Sequence, residues 1–283
     1  MNHHSNKFLG VGLGFRAKHF TDIMEGNCKA KWFEALSENY MGMNDSGYGP
    51  SIARLRELAS KFPIVLHGVS MSVASDYGVE DNYIEKLKNL RDDIKPLWIS
   101  DHLCFARGPK HNSHDLLPIP FTRSVLETCR DNINKVQDML GHSIALENIS
   151  TYLEFEENTM SEWDFLSELQ RETQCKILLD INNIVVNCHN HGYDHLDFLK
   201  AFERNAVQQF HLAGHIEQNG LKIDTHSENI CDKTYELLYE AIKYYGPVAP
   251  LIEWDDNIPE MNQMNSHIER VENIYREAGY EAI

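Results

Sequence analysis

Apolar residues recur along this chain in short, nearly continuous runs. Between the runs lie longer stretches in which apolar positions fall three and four apart. The runs are FLGVGL (8–13), KWFEALSENY (31–40), PIVLHG (63–68), PLWISDH (96–102), SIALEN (143–148), KILLDINN (176–183), QQFHLAG (208–214) and VAPLIEWD (248–255). Each has the length of a strand, and unbroken apolarity is what a parallel sheet buried on both faces requires. Helical spacing puts Ile52, Leu55, Leu58 and Ala59 on one face of residues 50–61, and Tyr83, Leu87, Leu90 and Ile94 on one face of residues 81–94. SEWDFLSELQRET (161–173) opens on Ser161 as an N-cap and turns Phe165, Leu166 and Leu169 inward. NICDKTYELLYEAIKYYG (229–246) is stopped by Gly246 and Pro247, and a polar surface helix follows near 262–278. Eight strands alternating with helices predict a parallel (β/α)8 TIM barrel. The alternative, an open doubly wound sheet, finds no G-x-G-x-x-G after a strand and no Walker A sequence; GVGLGF near the start fits neither pattern. No linker or composition break interrupts residues 1–283, which read as a single domain.

Polar residues cluster where these strands end. His67 closes the third run, Asp101 and His102 the fourth, Glu147 and Asn148 the fifth, and Asp180, Asn182 and Asn183 the sixth. His211 lies on the seventh, with His215 just beyond, and Glu253, Asp255 and Asp256 end the eighth. QFHLAGHIEQNGLKIDTHS (209–227) adds Asp224 and His226, with IEQNGLK read as a small hairpin between them. A barrel gathers all its strand C-termini at one rim. Each group alone has an ordinary reading: a hydrogen-bonded histidine, a helix cap at Asp180, an Asx turn at Asp224, an acceptor for a histidine at Asp101. Together they are harder to explain, because buried carboxylates converging on one rim repel one another unless a cation is present. Imidazoles mixed with carboxylates suit Fe, Mn, Zn or Co better than Ca or Mg, and about nine such groups serve two or three ions.

Composition narrows the remaining choices. A net charge of −17, from 26 basic and 43 acidic residues, argues against a nucleic-acid partner. No apolar run approaches the roughly 20 residues of a membrane span, and MNHHSNKFLG lacks a basic n-region and a long h-region. A cytoplasmic protein with no membrane partner is expected. The six cysteines form no C-x-x-C pair and read as buried reduced thiols; Cys104, beside His102, is expected to pack rather than to act as a nucleophile.

WFEALSENYMG, PIVLHGVSMSV, WISDHLCF, LENIS, LLDINNIVVNCHNHG, FHLAGH, DTHS and IEWDDNIPE, in this order and spacing, resemble the multinuclear non-heme iron-dependent oxidative enzymes (MNIO). The resemblance covers nearly the whole chain and implies a xylose isomerase-like barrel. Family members include the methanobactin oxazolone and thioamide synthase and the enzyme that excises a cysteine β-carbon in thiaglutamate formation. By resemblance, His67, His102, Glu147, Asp180, Asn183, His211, Asp224, His226 and Glu253 are metal ligands for two or three iron ions, mixed Fe(II) and Fe(III), with Glu147 or a neighbouring carboxylate as a bridge. The implied function is O2-dependent oxidative modification of a ribosomally synthesised precursor peptide (RiPP biosynthesis), most often at cysteine, with a small partner protein that recruits the peptide. His215 stands where the methanobactin enzyme has a tyrosine, and it joins Asp101 as a catalytic candidate. Asn39 and Tyr40, beside Glu38, read as substrate-facing or ligand-supporting. Arg16 and His19 read equally as a peptide-carboxylate clamp or a surface salt bridge. Competing readings are a divalent-metal TIM-barrel isomerase, an endonuclease-like hydrolase and a non-catalytic metal-binding scaffold.

Overall fold

In the computed structural model, which describes residues 8–42, 52–108 and 111–281, strand and helix alternate along the chain. The strands are β1 (Gly12–Gly14), β2 (Trp32–Leu36), β3 (Ile64–Gly68), β4 (Ile99–His102), β5 (Phe105–Gly108), β6 (His111–Leu117), β7 (Ala145–Glu147), β8 (Lys176–Asp180), β9 (Val207–Leu212), β10 (His215–Gln218), β11 (Leu221–Asp224) and β12 (Ala249–Ile252). The helices are α1 (Phe20–Met24), α2 (Ile52–Ala59), α3 (Asp81–Ile94), α4 (Arg123–Leu140), α5 (Glu162–Thr173), α6 (Ile181–His191), α7 (His195–Leu199), α8 (Asp232–Tyr245) and α9 (Met261–Glu277). The predicted barrel is observed: β1, β2, β3, β4, β7, β8, β9 and β12 close an eight-stranded parallel ring in that order. The hairpins β5–β6 and β10–β11 are additions outside the ring.

The chain falls into two compact units, residues 35–178 and residues 1–34 with 179–283. In the first, the parallel register sets His67 beside Ser100, Gly68 beside Asp101 and His102 beside Glu147. In the second, β12 pairs with β9 so that Leu251 lies beside His211, and β1 pairs with both β12 and β2. Buried Leu66, Leu146 and Leu178 supply the core of one unit, and Leu13, Trp32, Phe210 and Leu251 that of the other. Full burial of such a side chain stabilises by roughly 1.5–3 kcal/mol. β1 is shorter than the apolar run 8–13 suggests, and its glycine has a packing reason. A Cβ on Gly12 would lie 2.4 Å from the indole of Trp32, whose Nε1–H donates to Gly10 O at 3.0 Å.

Helix ends follow local chemistry. Ser161 caps α5 by accepting from Asp164 N–H, and Gly246 ends α8. The helix expected over 50–61 is α2; residues 50 and 51 lie outside the described residues. α9 has a polar outer surface but buries Met264, Ile268, Val271 and Tyr275. Four of the described α-helices lie outside the periodicity expectations: the five-residue α1 and α7, and the longer α4 and α6. In α4 the buried stripe includes Asn132, whose Nδ2 donates to Val73 O and Ser75 O, so a polar residue interrupts an inward face. In α6 the chain turns at once: Asp180 ends β8 and caps the helix by accepting from Asn183 N–H at 2.6 Å. The run 176–183 is therefore a strand to Asp180 and a helix from Ile181. Among the described residues no helix is long and apolar enough to cross a membrane.

Candidate metal centre

In the unit of residues 35–178, His67, His102 and Glu147 end β3, β4 and β7, and all three are buried. Their ligand atoms lie within 4.8 Å of one another. Both histidine Nε2 atoms sit 3.2 Å from Glu147 Oε2. The other nitrogens decide the tautomers. His102 Nδ1 lies 2.9 Å from Gly68 O, so it carries the proton and donates. His67 Nδ1 lies 2.8 Å from Ser100 Oγ, which itself donates to Leu66 O at 3.4 Å and so accepts from the imidazole. In these tautomers both Nε2 atoms present lone pairs to a carboxylate oxygen. That arrangement repels unless a cation or extra protons intervene. A histidine whose far nitrogen is bound to an acceptor is how proteins orient metal-ligating imidazoles.

The unit of residues 1–34 and 179–283 holds two further groups that share Glu253. Asp180, His211 and Glu253 offer ligand atoms within 4.8 Å of one another, and so do His226, Glu253 and Asp255. His211 Nδ1 faces Glu253 Oε2 at 2.9 Å, while its Nε2 faces the Glu34 carboxylate at 3.1 Å. Glu34 also accepts from Gln209 Nε2 at 2.7 Å. Sequence reading passed over Glu34; its signal is a charge inside the apolar strand WFEAL, buried in the fold. His226 has carboxylates at both nitrogens. Nδ1 hydrogen-bonds Asp255 Oδ2 at 3.0 Å. Nε2 is buried and lies 2.8 Å from Asp224 Oδ1. Burial alone would push the His226 pKa down, but Asp224 and Glu253 outweigh it and hold it well above the ordinary value. Burial pushes Glu253 up, and His211 and His226 overcome this to hold it well below the usual carboxylate range.

Two backbone features place His226. Its φ of 46° is left-handed, a conformation that costs a β-carbon-bearing residue about 1–2 kcal/mol. The strain is held by a clamp: His226 N–H donates to Gly214 O at 3.0 Å, and His226 O accepts from Asp255 N–H at 2.8 Å. A Cβ on Gly214 would lie 2.0 Å from Glu228 O, so this turn has no room for a side chain.

The remaining sequence candidates occupy varied places. Asn183 is buried in the first turn of α6. His215 starts β10, where its Nδ1 meets Asn182 Oδ1 at 2.7 Å; burial and the Lys222 ammonium push its pKa down to about 4. Asp101 stands outside the three ligand groups. It accepts from His102 N–H at 2.8 Å, Met71 N–H at 3.2 Å and Tyr83 O–H at 3.3 Å. Burial and nearby Glu38 raise its pKa to about 7. Arg16 pairs with Asp255 and donates Nε to Trp254 O at 2.9 Å. His19 is buried and bonds Pro259 O at 2.8 Å, tying down the segment after β12. Asn39 is exposed on the turn after β2, and Tyr40 lines a cleft with Arg56 and Lys86. His189 and Asn190 grip the β10–β11 hairpin through Gly220 O and the Lys222 backbone. Cys104 is fully buried with its pKa pushed well above the ordinary thiol value by burial, which removes it as a nucleophile.

A closed eight-stranded parallel barrel ringed by helices is the xylose isomerase-like TIM-barrel fold. Solved structures of this fold include a xylose isomerase domain-containing protein of Salmonella typhimurium LT2 (TM-score 0.66, 13% identity, 98% of this chain and 99% of that one). A D-tagatose 3-epimerase-like protein is also similar (TM-score 0.62, 16% identity, 95% and 98%). The family pattern described as "RiPP precursor modification enzyme MbnB/TglH/ChrH" matches residues 10–276, and the chain belongs to this family. UPF0276 proteins are similar over nearly full length. That of Acaryochloris marina is 39% identical over 263 residues (93% of this chain, 94% of that protein), and that of Caulobacter vibrioides 40% over 263 residues (93% and 92%).

Proposed function

We propose that this enzyme uses two or three iron ions and dioxygen to oxidise a ribosomally made precursor peptide at cysteine, with a small partner protein delivering the peptide. The observation that carries the reading is the pair of imidazole lone pairs at His67 and His102 aimed at one buried Glu147 oxygen. One ion is held by His67, His102 and Glu147, a second by Asp180, His211 and Glu253, and a third by Asp224 and His226. The donor set is nitrogen and oxygen without thiolate, which fits iron. Bound iron supplies a Lewis acid for a substrate thiol and the electrons that reduce dioxygen. The chain's own contribution is to fix tautomers. Gly68 O and Ser100 Oγ hold the Nδ1 protons of His102 and His67, and Glu34 faces His211 Nε2. The His67 and His102 imidazoles are thus pre-oriented with Nε2 turned toward the Glu147 carboxylate.

The test is anaerobic Fe(II) reconstitution of the purified chain. Oxygen uptake and the mass of a cysteine-bearing precursor peptide, encoded beside the gene, are then followed. Uptake coupled to an oxidative mass change at cysteine is expected. An iron-loaded protein that consumes no oxygen with that peptide, or that instead epimerises a sugar, overturns the reading.

A further inference from the structure

The β10–β11 hairpin carries a hydrogen-bond chain that ends on Asp224. Lys222 Nζ lies 2.6 Å from His215 Nε2, His215 Nδ1 lies 2.7 Å from Asn182 Oδ1, and Asn182 Nδ2 lies 2.7 Å from Asp224 Oδ1. One polarity satisfies all three contacts. An ammonium can only donate, so His215 Nε2 accepts and Nδ1 carries the proton. Asn182 Oδ1 then accepts, and its Nδ2–H donates to the carboxylate. The imidazole tautomer and the amide orientation, otherwise open choices, are both set by Lys222. The supports are built as carefully as the chain. Asn190 Nδ2 donates to Lys222 O and Asn190 Oδ1 accepts from Lys222 N–H, both at 2.9 Å. His215 and Asp224 are register partners across the hairpin, whose Asn219–Gly220 turn has the two positive φ angles of a tight two-residue connection.

We propose that Lys222, His215 and Asn182 are positioning residues that pin Asp224 for the ion it shares with His226, and so set the affinity of that ion separately from the others. The proposal rests on the metal reading above. Hydrogen bonds running in one direction reinforce one another, so the Lys222 charge is felt at Asp224 Oδ1 through two intermediates. Outer partners of this kind typically change metal affinity by about 10–100-fold. In this arrangement His215 is a wire rather than a base. Its accepting nitrogen is occupied by Lys222 and its proton by Asn182.

The experiment is an anaerobic titration of the metal-free full chain with Fe(II) alone. Bound iron is counted by mass spectrometry and affinities are ranked by chelator competition, for wild type, Lys222→Met, His215→Phe and His215→Gln. Lys222→Met and His215→Phe are expected to weaken one bound ion by about 10–100-fold and leave the others at wild-type affinity. His215→Gln, whose amide oxygen accepts from Lys222 while its nitrogen donates to Asn182, restores that ion to within about threefold. Thermal midpoints are read alongside. Equal affinities in all four proteins overturn the proposal. So does a uniform loss of every ion together with a lowered midpoint, which means the chain merely folds the hairpin. A wild type that binds no Fe(II) at all brings down the metal reading as well, and is distinguished by the wild-type titration alone.

Discussion

The rings of His67 and His102 meet edge to face with centroids 4.5 Å apart, and both present Nε2 to the same Glu147 oxygen. Their Nδ1 protons are committed elsewhere, so in the metal reading proposed above the pair is one preformed two-nitrogen site. His102→Ala is expected to remove one bound ion and lower peptide modification at least about 100-fold, beyond the range of outer-partner changes. Ser100→Ala leaves the ligands in place but frees the His67 ring, and should weaken the same ion about 10–100-fold. Metal content by mass spectrometry, at limiting and at excess Fe(II), separates the two; full iron and full activity in His102→Ala would remove that residue from the site.

Glu34 faces His211 Nε2 and receives Gln209, so in the metal reading proposed above it acts on the ion through the imidazole. Glu34→Gln keeps the shape and removes the charge that raises the imidazole's donor strength. The Asp180–His211–Glu253 ion should bind about 10–100-fold more weakly. Chelator competition checks this, and an unchanged affinity would reduce Glu34 to a packing role.

Gly214 is where the turn after β9 and the His226 backbone meet. Gly214→Ala drives a methyl group into Glu228 O and displaces the carbonyl that holds His226 N–H. Overpacking of this kind costs about 1–3 kcal/mol. Urea denaturation should show that loss in metal-free protein, together with selective loss of the ion bound at His226. A variant with wild-type stability would mean the loop after Ser227 yields freely.

His226 gives the stability a pH dependence of known sign. Its folded pKa is raised, so in metal-free protein its proton stabilises the fold below the unfolded value of about 6.5 and that contribution fades as pH rises through the folded value. Metal binding at Nε2 must displace the same proton, so affinity rises with pH over this range. The gap in Tm between iron-loaded and chelated protein should therefore widen from about pH 6 to about pH 8. A gap that stays constant or narrows would show that His226 is not protonated in the metal-free site.

Much of the barrel was legible because parallel strands buried on both faces leave uninterrupted apolar runs, and because Ser161 and Gly246 mark helix ends by their own chemistry. The hairpin in IEQNGLK was legible from Asn219–Gly220. α4 was not, because Asn132 points inward to bind two carbonyls and breaks the apolar stripe. The first turn of α6 reads locally as strand, since nothing in the sequence distinguishes Asp180 as a strand end from Asp180 as a cap; its carboxylate on Asn183 N–H decides it.

At the site, residue types at strand ends were enough to single out His67, His102 and Glu147, and Asp180, His211 and Glu253, as groups that the fold brings within ligand distance. Sequence determined the barrel and the chemistry available at its strand ends, because both follow from periodicity and residue type. Only tertiary structure decided which nitrogen of His67, His102 and His215 carries a proton and that Glu34 backs His211. It likewise decided that Asp101 braces backbone, that Arg16 pairs with Asp255 and that Lys222 reaches Asp224 through two side chains. Those outcomes depend on hydrogen-bond directions between residues up to 239 positions apart, which no local pattern in the chain encodes.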